Sequence, residues 1–253
     1  MYQRKFSMMT PRASGSRWVN GVATIFGFVV LAAPANSQDA FDPRDISGFW
    51  ELSYDSRNVP AADLQPSITP ELIAEQAKKD LNGRRWCHFI GMPLAMDSPR
   101  PIDIRQGLHE VLINFEWRAT PRHIYLDRKE NVVTEDYDLT SMGDSIGHWE
   151  GDTFVVTTVG IDGAKGQTLL PGGGFRTTDS RLTERYRLLN NGAALLVTFT
   201  WEDPKVFRTP HTYAYRYSRA PRFYEVQTPL ACDPFDKERI EFLTSPPAAA
   251  TRK

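Results

Sequence analysis

The stretch "SIGHWEGDTFVVTTVGID", from Ser145 to Asp162, carries the pattern that decides the fold. Two runs rich in β-branched and aromatic residues, Ser145 to Trp149 and Thr153 to Ile161, flank Glu150-Gly151-Asp152. A glycine between two acids, set between β-rich runs, is typical of a reverse turn. The stretch therefore predicts a β-hairpin, in which the turn acids serve geometry and solubility.

The period-two pattern continues on both sides of this hairpin. Val111, Ile113 and Phe115 lie on one strand face, with Glu110, Asn114 and Glu116 mostly opposite, and Asn190-Asn191-Gly192 is a strong hairpin-turn signal. The other predicted strands are 45–50, 109–117, 122–127, 180–188, 193–201, 211–219 and 223–228. Many short strands with tight turns predict a mostly β fold, an antiparallel β-barrel or sandwich of the lipocalin or calycin type.

One α-helix is predicted near the start of the domain. Thr69 is a good N-cap, and Pro70 suits the first helical position. Apolar residues follow at helical spacing, and Asn82-Gly83 is expected to end the helix.

The first 37 residues read as a secretory signal peptide. Four basic residues and no acid precede an apolar run of 13 residues, Gly21 to Ala33, and Ala35-Asn36-Ser37 predicts cleavage after Ser37. A membrane anchor would need about 20 apolar residues. We therefore expect a periplasmic or secreted protein with one β-rich domain over residues 38–243 and a disordered tail over 244–253.

Charge and cysteine content restrict the class further. The mature chain has 26 basic and 31 acidic residues, a net charge of −5, which does not favour nucleic-acid binding. No later segment is long and apolar enough to span a membrane. Cys87 and Cys232 are far apart, and in an oxidising compartment they predict one disulfide. A reactive or metal-binding thiol is the alternative, because His88 follows Cys87.

The chain resembles a large group of exported hypothetical bacterial proteins over nearly the whole mature length. The shared segments, in order, are "DISGFWEL", "RHIYLD", "SIGHWEGDTFVVTTVG", "LTERYRL" and "EDPKVF", where the group has RxIYLD, SIGxWEGDTLVVxTVG, TERF and DPKxF. The resemblance implies that the protein is exported and belongs to the same class of bacterial protein, and it implies no activity. Asp144 stands where the group often has histidine and His123 where it often has arginine, so a shared histidine mechanism does not carry over. Gly48 and Trp50 also resemble the start of lipocalin-like barrels.

Glu184 is the leading candidate for chemistry. Strand alternation places it on one face with Leu182, Tyr186 and Leu188. A carboxylate on an apolar face is costly unless it is paired, and desolvation would raise its pKa towards the range of general acid–base catalysis. The alternative is a structural ion pair with an arginine.

Two histidines complete the candidate catalytic set. His211 shares a face with Tyr213 and Tyr215, an arrangement that is able to line a ligand pocket. His148 faces inward only if Ile146 does, and otherwise lies at the rim or in the core without a catalytic role.

The remaining candidate residues concern binding. Candidate ligand-binding residues are Trp117, Tyr125, Tyr213 and Tyr215. The five histidines are dispersed, so no metal site and no cofactor are predicted. Ser145 lies in a "GDSIG" string, but β pattern follows it where a nucleophile elbow needs a helix.

Three hypotheses about function follow from these residues. The first is a cofactor-independent acid–base enzyme, a lyase, isomerase or hydrolase, acting on a small, partly apolar or aromatic molecule inside the barrel. The second is a periplasmic binding or carrier protein with the same cavity and no turnover. The third is a structural or interaction protein of the envelope with a filled core.

Overall fold

The computed structural model describes residues 41–85, 91–97, 100–115, 121–132, 139–162 and 168–221. Within these residues nine strands form a closed, lipocalin-like β-barrel, accompanied by one α-helix. The strands are β1 (Gly48–Leu52), β2 (Ile102–Gln106), β3 (Glu110–Phe115), β4 (Arg122–Tyr125), β5 (Asp144–Glu150), β6 (Thr153–Val159), β7 (Arg181–Leu189), β8 (Ala194–Glu202) and β9 (His211–Arg219). The predicted fold class is confirmed, and of its two forms the chain takes the barrel.

The strands follow one another around the barrel in chain order. All neighbours are antiparallel except β4 and β5, which pair in parallel through Ile124 with Ser145 and Tyr125 with Ile146. The predicted antiparallel barrel therefore contains one parallel pair of strands. The connection over residues 126–143 is long enough to carry the chain back to the same end of the barrel, as a parallel neighbour requires.

The two predicted hairpins form around the turn signals that indicated them. β5 and β6 pair from Asp144 with Val159 to Glu150 with Thr153, next to Gly151 at φ +58°. β7 and β8 pair over nine positions, and Asn190, Asn191 and Gly192 all have positive φ. Asparagine and glycine are the residues that adopt this conformation at least cost.

β1 and β9 close the barrel, and the Gly48–Trp50 signature lies at this closure. The Trp50 indole N–H donates to the Ile46 carbonyl at 3.0 Å. The Arg219 guanidinium lies 4.2 Å from the centroid of the Trp50 ring. Gly48 has φ +138°, and a Cβ there would lie 2.4 Å from Arg219 Nη1. The glycine is therefore needed for the arginine to cover the tryptophan.

The α-helix, α1 (Pro70–Arg85), begins at the predicted proline but continues through Asn82-Gly83. The predicted helix end is wrong, because glycine inside a helix costs only about 1 kcal/mol and does not by itself end it. α1 is attached to the loop after residue 167 through Asp80. Its carboxylate accepts hydrogen bonds from the backbone N–H groups of Thr168 and Leu169, at 2.9 and 3.0 Å.

Two short 3-10 segments cover the barrel strands. Tyr54–Ser56 follows β1, and Leu94–Asp97 belongs to a segment, residues 91–97, that packs into the core through Met92 and Met96. β2 is a strand that the sequence prediction missed. The predicted strand 223–228, the signal segment, the tail and both cysteines lie outside the described residues.

Large side chains occupy the barrel interior. The largest fully buried aromatic side chains are those of Trp50, Phe154, Tyr186, Phe199, Trp201, Tyr213, Tyr215 and Tyr217. Phe199 stacks on Tyr213, with ring centroids 5.0 Å apart. Small barrels have interiors just wide enough for side chains to fill or for one small ligand to occupy. Among the described residues, these aromatic side chains therefore take up much of the barrel interior.

Candidate functional site

Glu184 lies inside the barrel in an ion pair with Arg122 of β4. The two side chains are 0% and 1% exposed, and both nitrogens at the end of the guanidinium donate to the carboxylate, one of them at 2.9 Å. The hydroxyl of Tyr186 donates to the same carboxylate at 2.7 Å. Glu184 is therefore buried, as its place in the sequence predicted, and it has the arginine partner that was the structural alternative.

The rest of the Arg122 guanidinium is satisfied by neighbouring strands. It donates to the Thr158 hydroxyl at 2.7 Å and to the Ser145 hydroxyl at 3.2 Å. Burial alone would lower the pKa of Arg122, but the charge and hydrogen bonds of Glu184 raise it above its ordinary value. Burial, together with the charge of Glu184, raises the pKa of Tyr186 well above its ordinary value. These side chains form one hydrogen-bonded network in the core, and the Ser145 hydroxyl belongs to it.

His211 is buried, and its ring holds a loop in place. Nε2 donates to the carbonyl of Pro171 at 2.6 Å, and the ring stacks on Phe207 with centroids 5.6 Å apart. Gly172 lies directly against the ring, where an added Cβ would be 2.8 Å from Cε1. His211 therefore fixes the 171–172 turn from the barrel side.

His148 lies on the outer face of the barrel. Its side chain is 61% exposed, and Nε2 is 3.1 Å from Glu150 Oε1. Glu150 in turn pairs with Arg185 of β7 at 2.6 Å. The inward alternative for His148 is therefore wrong: its side chain is exposed, Ile146 on the same face is only partly buried, and Ser145 and Gly147 on the opposite face are buried. The structure does not bring Glu184, His211 and His148 together.

The candidate ligand-binding residues are divided between the two sides of the barrel wall. Tyr213 and Tyr215 point inward and are 2% and 1% exposed. Tyr125 lies on the outer side, stacked with His123 and covered by Arg128, whose guanidinium lies 4.7 Å from its ring centroid. Trp117 lies outside the described residues. Of the three members of this set that the structure describes, Tyr215 is the one that lines the cavity described next.

A cavity of about 400 Å³ lies between three irregular segments, at residues 57–59, 93–97 and 169–171, with Tyr215 of β9 at its barrel side. Small-molecule sites typically have volumes of about 300–1,000 Å³. Its apolar lining consists of Val59, Pro93, Leu94, Leu169, Leu170 and Pro171. The Pro171 carbonyl is the group that His211 holds, so His211 positions one wall of the cavity.

The described lining residues also include three polar ones, Arg57, Asp97 and Tyr215, here named the polar corner. Arg57 Nη2 is 2.8 Å from Asp97 Oδ1, and the guanidinium lies 5.5 Å from the centroid of the Tyr215 ring. The side chains of Arg57 and Asp97 are 28% and 20% exposed. The pair is therefore largely removed from solvent while it lines the cavity.

Burial raises the pKa of Asp97 above its ordinary value, although the charge of Arg57 and hydrogen bonding from Tyr215 act in the opposite direction. An apolar cavity with a few convergent polar groups and a perturbed carboxylate is the arrangement expected of a binding or catalytic site. Sequence reasoning missed Arg57 and Asp97, because both lie outside periodic segments. The one available signal was an acid directly after the apolar run "MPLAM" between two prolines.

Other site types find no support in the part of the chain that the structure describes. Among these residues no three histidine, cysteine, aspartate or glutamate side chains are grouped to hold a metal ion. Nor does any helix there have the length and apolar character needed to cross a membrane.

Comparison of the sequence with protein-family models and with curated proteins gives no match. The function therefore has to be argued from the cavity and its lining.

Proposed function

We propose that this protein binds a small amphipathic molecule in the cavity beside the polar corner. The observation that carries the proposal is the combination of an apolar lining with Arg57, Asp97 and Tyr215 at one place. Such a lining buries the body of a ligand, and the polar groups fix its orientation. We expect the ligand to lie against the segments at residues 57–59, 93–97 and 169–171, which line the cavity.

Binding without turnover is the form of the function that the geometry supports best. The acid–base hypothesis relied on Glu184, and both oxygens of this carboxylate are held by Arg122, with no exposure to a substrate. His148 and His211 are directed to an outer ion pair and to a backbone carbonyl. None of these three side chains is among those that line the cavity.

One observation favours an acid–base enzyme as the second candidate. Asp97 lines the cavity, and burial raises its pKa, which brings a carboxyl group closer to the range in which it exchanges protons near neutral pH. In this form of the function Asp97 is the proton carrier and Tyr215 the neighbouring donor. The reaction class would be an isomerisation, elimination or hydrolysis that needs no cofactor.

The setting that we propose is the periplasm or the extracellular space. The signal pattern over residues 1–37 and the resemblance to an exported group support this location. A carrier that holds an amphipathic molecule outside the cytoplasm fits both. The third hypothesis is an envelope interaction protein. The large side chains in the barrel interior support it, and it is favoured if the cavity binds no ligand.

The first experiment is a thermal-shift screen of the purified protein against aromatic and terpenoid-like catabolites. A ligand at about 100 times its dissociation constant adds roughly 2.7 kcal/mol of stability, which raises the midpoint by about 5–10 °C for a domain of this size. Each hit is repeated with Val59→Trp, which fills the cavity, and with Val132→Trp, which makes the same change at an exposed position (44%).

The proposal expects hits that Val59→Trp abolishes and Val132→Trp keeps. Hits that still bind Val59→Trp indicate a binding site outside this cavity. A screen without hits favours the interaction hypothesis. Each cavity ligand is then incubated with the protein and followed by mass spectrometry. Conversion that Asp97→Asn stops establishes the enzyme form, and an unchanged ligand establishes the carrier form.

A further inference from the structure

We infer that the cavity takes an amphipathic carboxylate, whose anionic group replaces Asp97 as the partner of Arg57 while Asp97 takes up a proton. The inference rests on the proposed function, since it names the ligand class of the same cavity. It goes further by linking binding to pH.

The charges of the lining favour an anion over a cation. Of the described residues that line the cavity, Arg57 and Asp97 are the charged ones, and they lie 2.8 Å apart. An arginine stays protonated under all physiological conditions, whereas a carboxyl group is able to give up its charge. Together, these two residues therefore have two accessible charge states, neutral and positive, and the positive state accepts an anion.

A cation would meet the opposite situation. It would have to approach Asp97 in its ionised form, with the Arg57 guanidinium on the same carboxylate. Like charges at such short distances repel, and a partly dry cavity strengthens the repulsion. The guanidinium of Arg57 therefore already holds the position beside Asp97 that a cation would take.

The polar corner also supplies the hydrogen-bond donors that a carboxylate needs. Arg57 presents a planar set of N–H groups that matches a carboxylate, and the phenol of Tyr215 is a further donor. A protonated Asp97 becomes a third donor. The Tyr215 ring lies under the guanidinium at 5.5 Å, which favours its position at the cavity wall when Asp97 is neutral.

Asp97 is the titrating group of this arrangement. Burial raises its pKa even in the presence of Arg57, so loss of the Arg57 charge to a ligand raises it further. Among the described residues, phenols lie near it: Tyr215 lines the same cavity, and burial holds the pKa values of Tyr213 and Tyr217 well above their ordinary value. Tyr213 and Tyr217 therefore remain neutral, and the proton goes to the carboxyl group.

Three probes with one apolar body test the ligand class. Phenylpropanoate, phenylpropanol and phenylpropylamine share a phenylpropyl group and differ in carrying an anionic, neutral or cationic head group. Isothermal titration calorimetry should give affinities in this order, with the carboxylate ahead of the alcohol by roughly tenfold to a hundredfold. Arg57→Met should bring the carboxylate and the alcohol to similar affinities.

Titrations in two buffers of different ionisation enthalpy measure the proton. We expect uptake of close to one proton per phenylpropanoate and an affinity that falls by up to about tenfold per pH unit above the pKa of Asp97. Asp97→Asn should remove both effects, because an amide donates without titrating. Asp127→Asn, at a carboxylate that is 60% exposed on the outer surface, should leave both unchanged.

The outcomes separate this inference from the proposed function. If phenylpropanol or phenylpropylamine binds as tightly as phenylpropanoate, and Val59→Trp blocks that binding, the cavity binds ligands but the anion inference is wrong. A pH dependence that persists in Asp97→Asn also overturns it. If none of the three probes binds, the carboxylate class is rejected, and the proposed function then depends on the wider screen.

Discussion

Replacing Glu184 by glutamine should destabilise the protein strongly, because the change leaves the charge of Arg122 buried without its counter-ion. The two side chains are 1% and 0% exposed, and the guanidinium has no route to solvent. Its other acceptors are neutral: the hydroxyls of Thr158 and Ser145. Removing one partner of a fully buried ion pair costs about 3–5 kcal/mol.

The size of the effect is measurable by thermal and guanidinium denaturation. For a domain of this size 1 kcal/mol corresponds to about 2–4 °C, so Glu184→Gln should lower the melting temperature by roughly 6–20 °C. The double variant Arg122→Met/Glu184→Gln removes both charges. It should lose clearly less than the sum of the single variants, with a coupling energy of about 2–3 kcal/mol.

The outer ion pair of Glu150 and Arg185 is the matched control. These residues also pair between strands that are not direct neighbours, β5 and β7, at 2.6 Å, but both side chains are 47% exposed. Glu150→Gln should leave the melting temperature nearly unchanged, because water and salt screen exposed pairs. If Glu184→Gln has an equally small effect, or if the effects of the two core substitutions are additive, Arg122 and Glu184 are not energetically coupled and the prediction is wrong.

Three further predictions concern the cavity and its supports. Burial raises the pKa of Asp97, so ionisation of this carboxyl group opposes folding. The free energy of unfolding should therefore fall as pH rises from about 3.9 through the raised pKa. Asp97→Asn should remove this pH dependence from melting temperatures measured between about pH 4 and 8. His211→Phe keeps an aromatic side chain but loses the hydrogen bond to the Pro171 carbonyl. We expect the free energy of unfolding, measured by guanidinium denaturation, to fall by about 1–3 kcal/mol, and ligand binding to become weaker. Asp80→Ala leaves two backbone N–H groups at residues 168–169 without their acceptor, and hydrogen exchange there should become faster while β7 and β8 stay protected.

The barrel could be predicted from the sequence because its strands carry their own local signals. Period-two alternation identified β5 to β9, and Asn190-Asn191-Gly192 specified the turn of the longest hairpin. The parallel junction of β4 and β5 carries no such signal, since it depends on where an 18-residue connection returns the chain. β2 shows the same limit: Ile102 and Ile104 alternate with polar residues, but five residues are a short pattern.

The candidate site could be predicted only where it shares a strand with the core. Alternation placed Glu184 on the apolar face and left its role open between acid–base chemistry and an arginine pair. The choice depended on Arg122, 62 residues earlier on β4, and the pairing register across three strands brings the two together. A pairing of this kind is a property of the closed barrel, and no single strand contains it.

Two of the arginine–carboxylate pairs among the described residues, the buried pair Arg122–Glu184 and the partly buried pair Arg57–Asp97, show why one is structural and the other a candidate for function. Around Arg122 and Glu184, hydroxyls from three strands fill the remaining hydrogen-bond positions, so any displacement leaves a buried charge unpaired. Arg57 and Asp97 lie on segments between strands, with a cavity beside them and a carboxyl group that already binds its proton more tightly. The first pair is costly to separate, whereas the second is able to exchange a partner for a ligand. Function is therefore expected where the barrel leaves its polar groups room to change partners.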